Sequence, residues 1–304
     1  MEITQKFAHS KDEACDLTAK GITGKSQKWF NEQFIIAGAY TAPSLGTITF
    51  SGGTTVEVGT ALTTSQTLKV TLTKADSGGY NASGTKTMGF TPKGGSKSSQ
   101  AVTPAIDSGS TATGSTCALT VTSVLTGKFA RGVNTLELVI PYAAGTASKN
   151  FRLANDAKTD TGVVDSSNSI KAGSLTKTLS VTGAYKIFHS STLAKGVASA
   201  STAPTSATVR AWTGIWESQA SKTFNLTPST SYGGVAFAIP STVSITKIVN
   251  ANNQNVTSAF SQRTVSISLP DGTTQSYTLW YYEAANAKFA AADTYTVTFS
   301  TSAM

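Results

Sequence analysis

Residues 265–282 read VSISLPDGTTQSYTLWYY. Val265, Ile267 and Leu269 alternate with serines up to Pro270-Asp271-Gly272, and an aromatic-rich run, Tyr277 to Tyr282, follows. Successive side chains of a strand point to opposite faces, so a period of two marks a half-buried strand. Two such runs across a Pro-Asp-Gly turn make a β-hairpin, and Gly272 supplies the positive φ that the turn demands.

The same period spreads outward from this hairpin. Downstream, Tyr295, Val297 and Phe299 alternate with Thr294, Thr296 and Thr298. Upstream lie VSITKIV at 243–249, VAFAI at 235–239 stopped by Pro240, and the short apolar run Lys186–Phe188, with 208–212 and 222–226 expected as further strands. Before these, LTKTLSV at 175–181, TLELVI at 135–140 and ALTVTSVL at 118–125 read as strands, and so do 68–72, 55–58 and 46–50. Ser51-Gly-Gly, Ser77-Gly-Gly and Lys93-Gly-Gly are turn chemistry between them. Many short strands at this spacing predict sandwiches or barrels. No sustained heptads follow residue 40, which excludes a coiled-coil shaft. The expected fold class is all-β, with tandem sandwich modules at 41–98, 99–183 and 184–304 behind an N-terminal docking arm, 1–40.

The arm is set apart by charge. Residues 1–40 hold five Lys and five acids, whereas the whole chain is only 13% charged. KSQKWFNEQF at 25–34 has the look of a short helix, and Phe34-Ile35-Ile36 that of an apolar strand or anchor, so Trp29, Phe30 and Phe34 are the candidate docking residues. A frayed terminus is the alternative. The whole chain is rich in Ser and Thr, 88 in all, and beyond the arm it carries a diffuse positive charge: twelve basic against seven acidic groups in 41–180, and seven against four in 181–304. No segment clusters Lys and Arg as a nucleic-acid footprint requires, so nucleic acid is not an expected partner. No apolar run approaches the 18 residues of a membrane span, and the N-terminus has no apolar core of a signal peptide. Cys15 and Cys117 are too few and too distant for a disulfide framework, and free thiols are the simpler reading, with a bridge between them as the alternative.

Short motifs for chemistry lose to their context. Residues 19–26, AKGITGKS, match the relaxed phosphate-loop pattern, but KDEACDLT before them is not the buried strand that such a loop needs. Asp107-Ser-Gly and Asp160-Thr-Gly resemble a paired protease motif, yet Asp76-Ser-Gly is a third copy and all three read as turns. His9 and His189 have no Cys, Asp or Glu at ligand spacing. No catalytic, cofactor-binding or metal residues are assigned, and no cofactor is expected. Asn81, Asn225 and Asn255 sit in glycosylation sequons that matter only in a eukaryotic secretory setting. Trp212, Trp216 and Tyr281 are candidates for stacking on a glycan or a protein partner. The alternative makes Trp280 and one Tyr core residues of a strand, with Tyr281 pointing opposite to both its neighbours.

Val56-Glu-Val-Gly-Thr60 followed by Leu68-Lys-Val-Thr-Leu-Thr-Lys74 resembles the opening of an Ig-like module found in virion proteins of tailed phages that infect Bacteroidetes, including the crAss-like group. The later order Tyr185-Lys-Ile-Phe188, Ala236-Phe-Ala-Ile-Pro240, Phe260 to Val265, Tyr277–Tyr282 and Tyr295–Phe299 is similar to theirs over roughly 45–300, although Ala236 stands where the family often has an aromatic. The resemblance implies Ig-like sandwiches, with 41–98 the first. It also implies a non-enzymatic structural role in a virion as a head or tail fibre, hub or decoration subunit. Its partners would then be capsid, portal or tail proteins, further copies in a homo-oligomer and a host surface glycan, with assembly in the host cytoplasm. A bacterial surface adhesin and a carbohydrate-binding β module are the competing readings.

Overall fold

A computed structural model of the chain describes residues 35–37, 40–145, 150–152, 169–193, 196–218, 221–225, 234–283 and 294–302. The chain is all-β, as its period of two requires. Trp29, Phe30 and Phe34, Cys15, His9, the phosphate-loop-like stretch and Asp160 lie outside the described residues.

The first half runs β1 (Ile35–Ala37), β2 (Ser44–Leu45), β3 (Thr49–Phe50), β4 (Thr55–Glu57), β5 (Gln66–Thr73), β6 (Gly79–Tyr80), β7 (Thr87–Thr91), β8 (Ser98–Ala101), β9 (Ala105–Ile106), β10 (Thr116–Ser123), β11 (Gly132–Ala143), β12 (Asn150–Arg152) and β13 (Gly173–Ala184). β1 pairs with β12 as a separate ribbon. The rest form two facing sheets, β2-β5-β10-β9 and β4-β13-β11-β7-β8, with β3 on β5 and β6 on β11. These are the A-B-E-D and G-F-C orders of an immunoglobulin-type sandwich. Its first strand is split between the sheets, so β4 pairs with β13 in parallel.

This pairing corrects the expected boundary between 98 and 99. β5 pairs with β10 over eight residues, with Leu72 opposite Cys117, Val70 opposite Leu119 and Leu68 opposite Val121. β7 pairs with β11. Both sheets press their inner residues into one cluster that runs from Ile48 to Val181 and includes Met88, Phe90, Leu136 and Leu138. Residues 41–98 therefore supply only part of a sandwich, and neither expected module buries its apolar face without the other.

The second half runs β14 (Lys186–Leu193), the short helix α1 (Ser206–Arg210), β15 (Thr213–Trp216), β16 (Ser221–Asn225), β17 (Gly234–Pro240), β18 (Val243–Val249), β19 (Ser261–Ser268), β20 (Thr274–Glu283) and β21 (Thr294–Thr301). A five-stranded sheet, β15-β14-β17-β20-β19, faces a three-stranded one, β16-β21-β18. Val235, Phe237 and Ile239 of β17 pack towards the small sheet with Ile248, Val297 and Phe299. Ala236 and Ala238 pack the other way, with Ala198, Val209, Val265 and Tyr277. The large sheet is thus covered on both faces, by a sheet on one side and by the segment bearing α1 on the other.

The strand expected at 208–212 is helix in its first half. Thr205 is extended at the N-cap and its Oγ1 accepts the Thr208 N–H at 3.2 Å, which starts a turn that a strand would leave unsatisfied. The 265–282 hairpin forms as read. Gly272 has φ +81°, its N–H donates to the Leu269 carbonyl at 3.0 Å, and Asp271 Oδ1 accepts from the backbone N–H and the hydroxyl of Thr273.

Candidate functional site at the junction of the two modules

Tyr185 is the only residue between β13 and β14. Around it, the charges of one module meet those of the other. In a chain so poor in charge, that concentration marks the site.

β4 ends in Glu57, whose side chain is only 8% exposed. Its carboxylate accepts from both terminal nitrogens of Arg210, at 2.7 and 3.1 Å, and Lys186 Nζ stands 3.6 Å away. Arg210 is the last residue of α1. It also donates to the Ser268 carbonyl at 2.9 Å and lies over the Phe188 ring. The hydrogen bonding that the guanidinium donates to Glu57 pushes its pKa up.

The second contact runs the other way. Glu217, just after β15, is fully buried. It accepts from Arg131 Nε at 3.0 and 3.2 Å, from the Tyr185 backbone N–H at 3.0 Å and from the Thr242 hydroxyl at 2.8 Å. Arg131 also donates to the Ser302 carbonyl at 2.8 Å. Buried Asn134 shapes the turn that presents Arg131: its Oδ1 accepts from the Ala130 and Lys93 N–H groups, and its Nδ2 donates to the Ala130 and Gly132 carbonyls. A buried carboxylate that takes four hydrogen bonds from three donors is fully satisfied, as burial demands.

A third pair lies at the rim. Lys128 Nζ is 2.6 Å from Asp271 Oδ2, in the Pro-Asp-Gly turn of the hairpin. The hydrogen bond from Lys128, then that from the Thr273 hydroxyl, lowers the Asp271 carboxyl to about 2. The turn seats against Gly59, which has φ +84°. A Cβ there would stand 3.0 Å from Asp271 Oδ1 and 3.3 Å from Leu269 Cβ, so both backbone and contact call for glycine. A cleft of about 320 Å³ opens beside this contact, lined among others by Gly59, Lys128, Arg131, Tyr185, Asp271 and Gln275. Burial raises the Tyr185 hydroxyl pKa, and the nearby Glu217 charge adds to the rise.

Each module therefore offers a buried acid to a base of the other. Such pairs contribute little net stability, because desolvation offsets their attraction, but they penalise any arrangement that separates them. The junction fixes one orientation.

The aromatics expected to stack on a ligand do not gather in one place. Trp212 and Tyr281 are half-buried and pack on the core cluster beneath α1. Trp216, on edge strand β15, lies beside the Lys186 ammonium, 5.4 Å from its ring centroid. Strands β14 and β17 separate β15 from β20, which is about 14 Å in a sheet with strands about 4.8 Å apart. Trp280 and Tyr282 point opposite to Tyr281, towards the small sheet, where the Trp280 Nε1–H is buried without an acceptor among the described residues.

Two of the Asp-Ser-Gly motifs are turns. Asp107 Oδ1 accepts from the Thr120 hydroxyl at 2.6 Å, and Asp76 Oδ2 accepts from the Thr41 N–H at 2.7 Å. His189 lies on β14 opposite Phe237 and Thr213. Cys117 is a free, buried thiol on β10, with its pKa raised by burial.

Sequence reasoning passed over Glu57, Arg131, Arg210 and Glu217. One signal was available. Val56-Glu57-Val58 and Ile215-Trp216-Glu217 each set a carboxylate among strand-forming apolar residues, in a chain with little charge to spare. No protein-family model matches the chain, and no curated protein is similar to it in sequence.

Proposed function

We propose that the chain is a non-enzymatic structural component of a tailed-phage virion, a head or tail fibre, hub or decoration subunit. Residues 1–40 dock on the particle, further copies pack alongside, and the C-terminal module projects towards the host surface. The observation that carries this reading is the junction. Two sandwich modules joined through one residue, each burying its acid under the other's base, make a spacer with a fixed angle rather than two beads on a string. A part that holds a distal surface at a set distance and direction from a particle needs that property. The virion-like order of short motifs along 45–300 supports the same reading.

Immunogold electron microscopy of particles from the source culture, with an antibody against residues 185–304, tests it. Gold on heads or tails is the expected outcome, and the image also chooses between them. Gold on the bacterial envelope with bare particles overturns it in favour of the adhesin.

A further inference from the structure

β4 is three residues long and lies at the edge of its sheet, with β13 as its one strand neighbour among the described residues. The two run parallel, Thr55 opposite Thr182, Val56 opposite Gly183 and Glu57 opposite Ala184. The Thr182 N–H donates to the Thr54 carbonyl at 2.9 Å, and the Val58 N–H donates to the Ala184 carbonyl at 3.1 Å. A parallel ladder this short is weak, because its hydrogen bonds are slanted and few. Yet its last residue, Glu57, is the one gripped by Arg210 and Lys186 of the C-terminal module. β13 itself continues through Tyr185 into that module. The module therefore holds both strands of the ladder: β13 through the chain and β4 through its terminal carboxylate.

We infer that β4, Glu57 and the C-terminal module form a latch, in which the seating of β4 on β13 and the seating of the module are one coupled event. With β4 in place, Glu57 is presented where Arg210 and Lys186 close on it. With β4 displaced, the two cations lose their acceptor, and among the described residues the contacts of Arg131 with Glu217 and Ser302 and those of the Asp271 turn remain to hold the module. Conversely, unseating the module removes the grip on β4 and opens the edge of β13 at Thr182–Ala184, where another strand can add. Coupling of this kind is reciprocal, so a change on either side of the junction must be felt on the other. These contacts all lie within one chain, so the latch operates whatever particle the chain serves.

Hydrogen–deuterium exchange of the full chain tests both directions. Glu57→Gln keeps the side-chain volume and removes the charge. Exchange in peptides covering 54–60 and 180–185 should quicken by about tenfold or more while the peptide covering 66–73, in the same core, keeps its rate. Unchanged exchange at 54–60, or an equal rise at 66–73, overturns the latch. In the other direction, Val56→Pro breaks the ladder without altering any residue of the C-terminal module. Faster exchange across 206–216, which carries Arg210, is expected, and an unchanged rate there overturns the coupling even if β4 itself has loosened.

Discussion

On β5, Leu68, Val70 and Leu72 are buried while Lys69, Thr71 and Thr73 face out; on β17, every residue from Gly234 to Pro240 is buried. The N-terminal sandwich has one core between two sheets, so each of its strands needs one apolar face. The C-terminal module has two cores on either side of one sheet, so its central strand needs two. Alternation is a signal of one-sided burial. Where it fails, as in GVAFAIP, something other than a strand has to cover the second face, and here it is the segment carrying α1.

The sharpest way to break this contrast is to put a charge on the second face. Ala238→Lys should abolish folding of the C-terminal module, because an unpaired buried ammonium costs several kcal/mol. Thr71→Lys, on the outer face of β5, should change stability by no more than about 0.5 kcal/mol. Near-ultraviolet circular dichroism and urea midpoints read both, and a folded Ala238→Lys protein would return β17 to the half-buried class.

Next in size is Arg131→Ala, at the meeting of the two regions. It leaves Glu217 buried without its cation and should destabilise the C-terminal module by about 3–5 kcal/mol, with the midpoint of the N-terminal sandwich shifting far less. Resolved transitions in denaturant check the difference.

Gly59→Ala comes third, at about 1–3 kcal/mol, from a Cβ forced into positive φ and against the Asp271 turn. Its effect should shrink in a protein already carrying Asp271→Ala, which a double-mutant cycle measures.

The smallest effect is the pH dependence of the rim pair. Asp271 titrates lower in the folded protein, about 2, than its ordinary 3.8. Its stabilisation is therefore present above pH 3.8 and is lost as the pH falls towards 2. Its size is at most about 1 kcal/mol, because Lys128 is 58% exposed and solvent screens the pair. Lys128→Met should remove that part of the acid sensitivity of the urea midpoint.

What the sequence made legible was local. The 265–282 hairpin depends on a turn and its flanking runs, and alternation alone assigns Tyr281 to the face opposite Trp280 and Tyr282. The division at 98/99 is not legible because β5 finds β10 almost fifty residues away, and nothing in either run says whether its partner lies in the same module. α1 reads as strand in the sequence because five residues offer too little period to outvote their neighbours, and the Thr205 cap is the better guide. The junction was the least legible of all. Glu57 and Arg210 are 153 positions apart, and a lone carboxylate in a strand does not name its base.

The reciprocal acids also govern how this chain can exchange parts with others. A recombinant that keeps residues 40–184 and takes its second half from an unrelated chain inherits Glu57 and Arg131 with nothing to answer them. A recombinant of the opposite kind strands Glu217. Only a crossover that imports both complements at once yields a working hybrid, so the two modules are expected to descend as a matched set, although each has the outward form of an interchangeable unit.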